Sequence, residues 1–253
     1  GKYLYCIIRC GEERAFGGVA PIGSDSGAVY TVPHQGLAVV ASDTGTDEYD
    51  ITRANMLAHQ RVQERVMQEL TVLPVRFGTV ANGVSPVDDV RRLLERRRQE
   101  FERLLSEMEV KVETGLKALW KDEKAVFEEI VAQDESIRRL RDSLMVKPPQ
   151  ATHFERIRLG EMVKKALERR RRAEATALLA PLRTITHRTV ENPVIVDRMI
   201  VNAAFLVEKH REEEFDRAVE PLDREHGQRL SFKYVGPVPP YNFVNVVVNW
   251  LDL

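Results

Sequence analysis

The sequence predicts an α+β fold of two domains: a mixed α+β domain over residues 1–108, a modified ferredoxin-like domain with a long helical insertion over 109–235, and a C-terminal tail over 236–253. Three observations carry this expectation. The chain has 253 residues, more than a single core comfortably serves. Strand and helix patterns alternate only partly in the first hundred residues, which favours α+β over a doubly wound sheet. The clearest half-buried strand pattern opens a second sheet in mid-chain: Val110, Val112, Thr114, Leu116 and Ala118 alternate with Lys111, Glu113, Gly115 and Lys117.

Residues 3–9 are rich in β-formers and are followed by Gly11, so they read as a first strand. Gly17, Gly18, Pro21, Gly23, Ser24 and Asp25 then supply turn chemistry without an apolar period. Two short strands follow at 29–32 and 37–41. Asp50 is placed to cap a helix whose apolar stripe is Ala54, Leu57, Ala58, Val62, Val66 and Leu70, ending near Thr71. A strand over 72–77 puts Leu73, Val75 and Phe77 on one face and Arg76 on the other. Ser85, with Pro86 behind it and Asp88 and Asp89 in the first turn, starts a helix that runs to about Met108.

Beyond the mid-chain strand, helical patterns run from 122 to 144 and from 154 to 180, interrupted by Lys147-Pro148-Pro149-Gln150. Pro181 is expected to kink or end the second of these, and Asn192-Pro193 is a firmer stop. A strand at 199–207, a helix at 211–226 closed by Gly227, and a strand at 229–235 with Leu230, Phe232 and Tyr234 on one face complete the ferredoxin-like skeleton. The tail begins with prolines and ends in an apolar run that needs something to pack against.

Composition excludes several function classes. The 38 basic and 39 acidic residues leave a formal charge of −1, so no global field draws in nucleic acid or an anionic membrane. The run Arg169 to Arg172 covers about 300° of a helix and cannot present one phosphate-binding face. No run approaches the ~20 apolar residues of a spanning helix, so no lipid-membrane partner is expected. Gly1 in place of an initiator Met reads as a trimmed start, and the opening lacks a secretory layout, which makes the cytoplasm the expected compartment. Cys6 and Cys10 form no disulfide framework.

Catalytic and cofactor chemistry has no visible foothold. The six histidines show no HExxH and no Cys–His zinc spacing, so no metal is expected. GEERAFGG at 11–18 lacks the ending of a phosphate loop, and no nucleophile elbow is present, so neither a cofactor nor an enzymatic activity is expected. Arg91 with Glu95, Arg96 with Glu100 and Arg103 with Glu107 read as solvated helix pairs. His59 lies at the edge of the first helix's stripe, where packing with a hydrogen bond is preferred over titration or ligand binding. Arg76 sits in an apolar strand, where pairing with a carboxylate is preferred and partner binding is the alternative. Pro239-Pro240-Tyr241 and the apolar tail read either as a contact surface or as a segment folded across its own domain.

Ala58-His59-Gln60-Arg61-Val62 followed by Leu73-Pro74-Val75-Arg76-Phe77-Gly78-Thr79-Val80 resembles the helix-then-strand core of the gas vesicle protein F/L family. Tyr3-Leu4-Tyr5, Val112-Glu113, Ala203-Ala204-Phe205-Leu206-Val207, and Gly236-Pro237 with Pro239-Pro240-Tyr241 agree with it in order. Cys6 stands where the family often has Gly, and Thr114 and Val238 where Trp is frequent, so family-typical aromatic contacts are not expected at those two. The resemblance implies a two-domain minor structural or accessory protein of the gas vesicle, a protein shell enclosing gas in prokaryotic cytoplasm. It implies no catalytic residues, a location at the shell, and the main shell protein and other gas vesicle proteins as partners. The alternative is a soluble assembly chaperone for the main shell protein that does not remain in the vesicle. The candidate partner contacts are Arg76 and, in the tail, Tyr241, Phe243, Val244 and Val246.

Overall fold

Eight residues of strand β1 (Lys2–Arg9) set the plan of the N-terminal half, because Tyr3 through Ile8 are all fully buried and both strand faces therefore need cover. The computed structural model describes residues 1–23 and 26–252, so the turn reading of Ser24 and Asp25 lies outside the described residues. Strands β2 (Val29–His34) and β3 (Leu37–Asp43) form a hairpin, and β3 pairs antiparallel with β1. On the other side of β1 come two short strands, β4 (Leu73–Pro74) and β5 (Val80–Ala81), giving the order β2-β3-β1-β4 with β5 also on β1.

Between Leu4 and Cys6 the β1–β3 register slips by one, and Tyr5 is the extra residue. Such a bulge shifts the alternation of faces. Tyr3, Tyr5, Cys6 and Ile8 consequently pack in one cluster with Val62 and Val66 of helix α1 (Arg53–Met67). Leu4 and Ile7 are left for the opposite face, where α2 (Pro86–Arg96) and α3 (Arg98–Met108) lie against the sheet.

Several sequence expectations are corrected here. Thr52, not Asp50, caps α1: its side chain accepts from Asn55 N at 3.2 Å, while the Asp50 carbonyl accepts from Thr52 N at 2.8 Å. The buried face of α1 is His59, Val62, Gln63 and Val66, and Leu57 of the expected stripe is exposed. The expected single helix from Ser85 breaks at Arg97, whose guanidinium is held by Glu100 (2.7 Å), the Val247 carbonyl (2.7 Å) and the face of Phe101 (4.9 Å). Glu100 is thus paired with Arg97 rather than Arg96, and Arg91 with Asp88 rather than Glu95, whereas Arg103–Glu107 forms at 3.6 Å.

The chain divides into two units: Gly1–Thr114 with Gly236–Leu253, and Gly115–Val235. The segment expected to stand apart as a tail is part of the first unit. There Val246 makes a parallel bridge to Val75, and its carbonyl accepts from Arg76 N at 3.1 Å. The unpaired edge beyond β4 supplies the physical reason, since an apolar strand can satisfy backbone groups on it.

The second unit carries a four-stranded sheet in the order β7-β8-β6-β9, the ferredoxin-like arrangement of β6 (Lys111–Trp120), β7 (Arg188–Glu191), β8 (Met199–Glu208) and β9 (Leu230–Val238). β7 escapes the sequence reading because four residues, Arg-Thr-Val-Glu, are too few to show alternation; it pairs antiparallel with β8 from Arg188↔Leu206 to Glu191↔Ala203. The helical insertion is α4 (Glu123–Gln133), α5 (Glu135–Met145) and α6 (His153–Arg183). Asp122 and Asp134 cap the first two, with Asp134 accepting from Ser136 N and Ile137 N at 3.1 and 3.2 Å. Pro181 lies inside α6 rather than after it; the helix closes two residues later, with Thr184 Oγ1 donating to the Pro181 carbonyl at 2.7 Å. Helix α7 (Glu212–His226) likewise tolerates Pro221.

Trp120, Phe205, Phe215 and the apolar face of α6 make the second core. Above it sits a polar network: Glu174 accepts from Trp120 Nε1 (2.7 Å), Arg170 Nε (2.7 Å) and Arg229 (3.3 Å), and Glu129 from Arg170 (2.9 Å) and Arg229 (2.7 Å). Arg229, then Arg170, hold the Glu129 carboxyl below its ordinary range. Within the basic run of α6, Arg169 meets Asp134 at 3.8 Å, Arg170 belongs to this network, and Arg171 lies against the Trp120 ring at 5.8 Å.

Because Glu174 ties two arginines and an indole together, Glu174→Ala is expected to destabilise the second unit by about 1–3 kcal/mol. Urea denaturation followed by Trp fluorescence measures this, and an unchanged midpoint would remove the network from the list of stabilising features.

Candidate functional site

Within the first unit, α1, the strand after Leu73 and the returning C-terminal segment enclose a groove of about 290 Å³. Its lining includes Met56, His59, Gln63, Arg76, Phe77 and Tyr241, with Val244 beside them. The helix contributes through i, i+4 spacing, which stacks His59 and Gln63 on one face. The bulge contributes through the Tyr5 carbonyl, which accepts from Val75 N at 3.0 Å and from Gln63 Nε2 at 2.6 Å.

Gln63 Nε2 also lies 2.8 Å from His59 Nε2. An amide nitrogen only donates, so His59 Nε2 accepts and the ring proton sits on Nδ1, which donates to Tyr3 Oη at 2.9 Å. Tyr3 Oη accepts in addition from Gly78 N at 3.1 Å. His59 is stacked on Tyr5 and meets Tyr3 and Phe77 edge-on, with ring centroids 5.6–5.7 Å apart. Burial pushes its pKa down to about 4, although the Val75 carbonyl, 3.2 Å from Nε2, works in the other direction. The ring is a neutral structural member of the groove wall.

Three polar groups at the groove are unengaged among the described residues. Gln63 is 0% exposed, yet its Oε1 has no hydrogen-bond partner. Tyr241 Oη is also buried without a partner, and burial raises its pKa. Arg76 is exposed, and no ion pair forms on its guanidinium among the described residues. The preferred sequence reading of Arg76, pairing with a carboxylate, is therefore corrected.

The other expected contacts divide. Tyr241 and Phe243 are half-buried, and Phe243 is not on the groove lining. Val246 is 0% exposed and holds the returning segment to its own unit, so the expectation of a partner contact there is corrected; Val244 is 4% exposed and lies on the groove lining. The sequence reading missed Gln63 and Met56, and the spacing His59-x-x-x-Gln63 was the available signal. Glu113, expected on a solvated face, is 3% exposed and accepts from Asn242 N at 2.7 Å and Asn242 Nδ2 at 2.5 Å. Burial raises its pKa to about 7 against the pull of those two donors.

Among the described residues no group of three or more His, Cys, Asp or Glu side chains is placed to hold a metal ion, and no helix is long and apolar enough to cross a membrane. Cys6 is buried and free, and Cys10 is half-buried and free.

Fold and groove together define a class: a two-unit α+β protein with a ferredoxin-like second unit and, in the first, a small apolar groove bordered by the exposed Arg76. Comparison with known proteins names the family. The profile described as "Gas vesicle synthesis protein GvpL/GvpF" matches residues 1–245, and the chain belongs to that family. It is 27% identical to gas vesicle protein F of a Nostoc species, over 97% of this chain and 98% of that one. To gas vesicle protein F of a Streptomyces species it is 29% identical, over 96% and 98%. The crystal structure of the gas vesicle protein GvpF from an Anabaena species superposes with a TM-score of 0.82 at 26% identity, covering 98% of this chain and 99% of that one. The GvpF structure from Microcystis aeruginosa gives 0.79 at 25% identity, covering 96% and 98%.

The two shifted groups make opposite contributions to the pH dependence of folding. His59 falls from 6.5 to about 4 on folding, so its contribution is present above pH 6.5 and lost as pH falls toward 4. Glu113 rises from 4.5 to about 7, so its contribution is present below pH 4.5 and lost as pH rises through 7. Denaturation midpoints from pH 4 to 8 should show His59→Gln flattening the acid limb and Glu113→Gln flattening the fall toward pH 7; unchanged slopes would contradict both assignments. Val246→Asp places a carboxylate at a fully buried site and is expected to destabilise the first unit by about 3–5 kcal/mol, read by circular dichroism in urea.

Proposed function

We propose that this protein is a minor structural or accessory component of the gas vesicle, associating with the shell through protein–protein contacts that support its assembly. The observation that carries the reading is family membership over residues 1–245, with relatives named gas vesicle protein F matching over nearly their full length. Its partners in this reading are the main shell protein and other gas vesicle proteins, and its place is at the shell. No side-chain constellation among the described residues argues for catalysis, and the relatives carry no enzymatic name.

Physical considerations support a binding role. An apolar groove beside an exposed arginine that forms no ion pair among the described residues offers a partner both area to bury and a charge to pair. Arg76 and Tyr241 are the proposed contacts that remain at the groove. The family description's word "synthesis" favours a second reading, an assembly chaperone for the main shell protein that leaves before the vesicle is complete.

An immunoblot on vesicles washed in high salt and mild denaturant separates the two. Retention is the expected outcome for a shell component; complete loss, with the protein recovered on unassembled shell protein, would replace it with the chaperone reading.

A further inference from the structure

Resting on the proposed association with other gas vesicle proteins, we infer that the groove is a socket for one short segment of such a partner, in which an apolar side chain stands next to a carboxylate. The apolar side chain fits between Met56, Phe77 and Val244. The neighbouring carboxylate meets the Arg76 guanidinium in a charge-assisted pair.

Size, charge and rigidity each narrow the occupant. A volume of about 290 Å³ is at the bottom of the range of ~300–1,000 Å³ typical of sites for whole small molecules, and suits one or two side chains. Arg76 is the unpaired charge of the lining, which sets the occupant's sign. The Glu64 carboxylate, close enough to act on Tyr241, accepts from Gln60 Nε2 at 2.7 Å. The walls are fixed before any partner arrives: Gln63 is held on the Tyr5 carbonyl, Val75 N on the same carbonyl, and Arg76 N on Val246 O. Preorganisation of this kind reduces the entropic cost of capture.

The test uses the full-length chain, affinity-tagged and co-expressed with the remaining gas vesicle genes, as wild type, Arg76→Lys and Arg76→Glu. Arg76 is exposed and bonded through its backbone, so both variants are expected to melt with wild type by circular dichroism. Recovery of gas vesicle proteins should persist in Arg76→Lys and fall about tenfold or more in Arg76→Glu. A photo-crosslinking amino acid at position 56 should attach to a segment carrying Asp or Glu beside an apolar residue. Equal recovery by wild type and Arg76→Glu overturns the socket while leaving the proposed function standing. So does a crosslinked segment without a carboxylate, or a crosslink to a second copy of this chain. Wild type that recovers no gas vesicle protein overturns the proposed function, and the socket with it.

Discussion

The first unit depends on the Tyr5 carbonyl. Burying six consecutive residues of β1 requires every backbone group there to find a protein partner, because water is excluded from both faces. The bulge at Tyr5 takes that residue out of the β1–β3 ladder and turns its carbonyl toward Val75 N and Gln63 Nε2. One oxygen thereby ties together the central strand, the strand after Leu73 and helix α1. Val75 in turn bridges Val246, so the C-terminal segment is secured through the same chain of contacts.

That arrangement also makes the groove. Gln63 is committed to Tyr5 and His59 through its nitrogen, which leaves its oxygen free, and His59 is committed to Tyr3. A wall built this way is rigid and incompletely satisfied at once. Inside a wall, such an unpaired oxygen is a cost to stability. The neutral His59 belongs to this wall, and its lowered pKa follows from burial.

The second unit is organised on a different principle. Its sheet follows ferredoxin-like order, its core is aromatic and aliphatic, and its charged residues are joined in a network centred on Glu174 and Glu129. Of the arginines that look in sequence like a basic run, Arg170 is engaged with these carboxylates and Arg171 with Trp120. A run of like charges on a helix is therefore weak evidence for a phosphate partner, since neighbouring helices supply counter-charges that sequence order hides.

Local chemistry determined much of this protein from the sequence alone. The β-rich run at β1, the Ser85-Pro86 start of α2, the alternation along β6 from Gly115 to Trp120, and the Gly227 end of α7 are each set within a few residues, and the structure carries all of them. The helix-then-strand block around His59 and Arg76 likewise pointed to the family that the chain belongs to. Tertiary structure alone decided what depends on distant partners. Arg97, at the break between α2 and α3, is held by the Val247 carbonyl, and β7 exists because β8 supplies its ladder. The tail residues Val244 and Val246 are the plainest case. Their apolar character is written in the sequence, but whether they face a partner or their own unit depends on an open strand edge more than 150 residues away, at Val75. Hydrophobicity specifies that a side chain will be buried; only the assembled fold specifies against what.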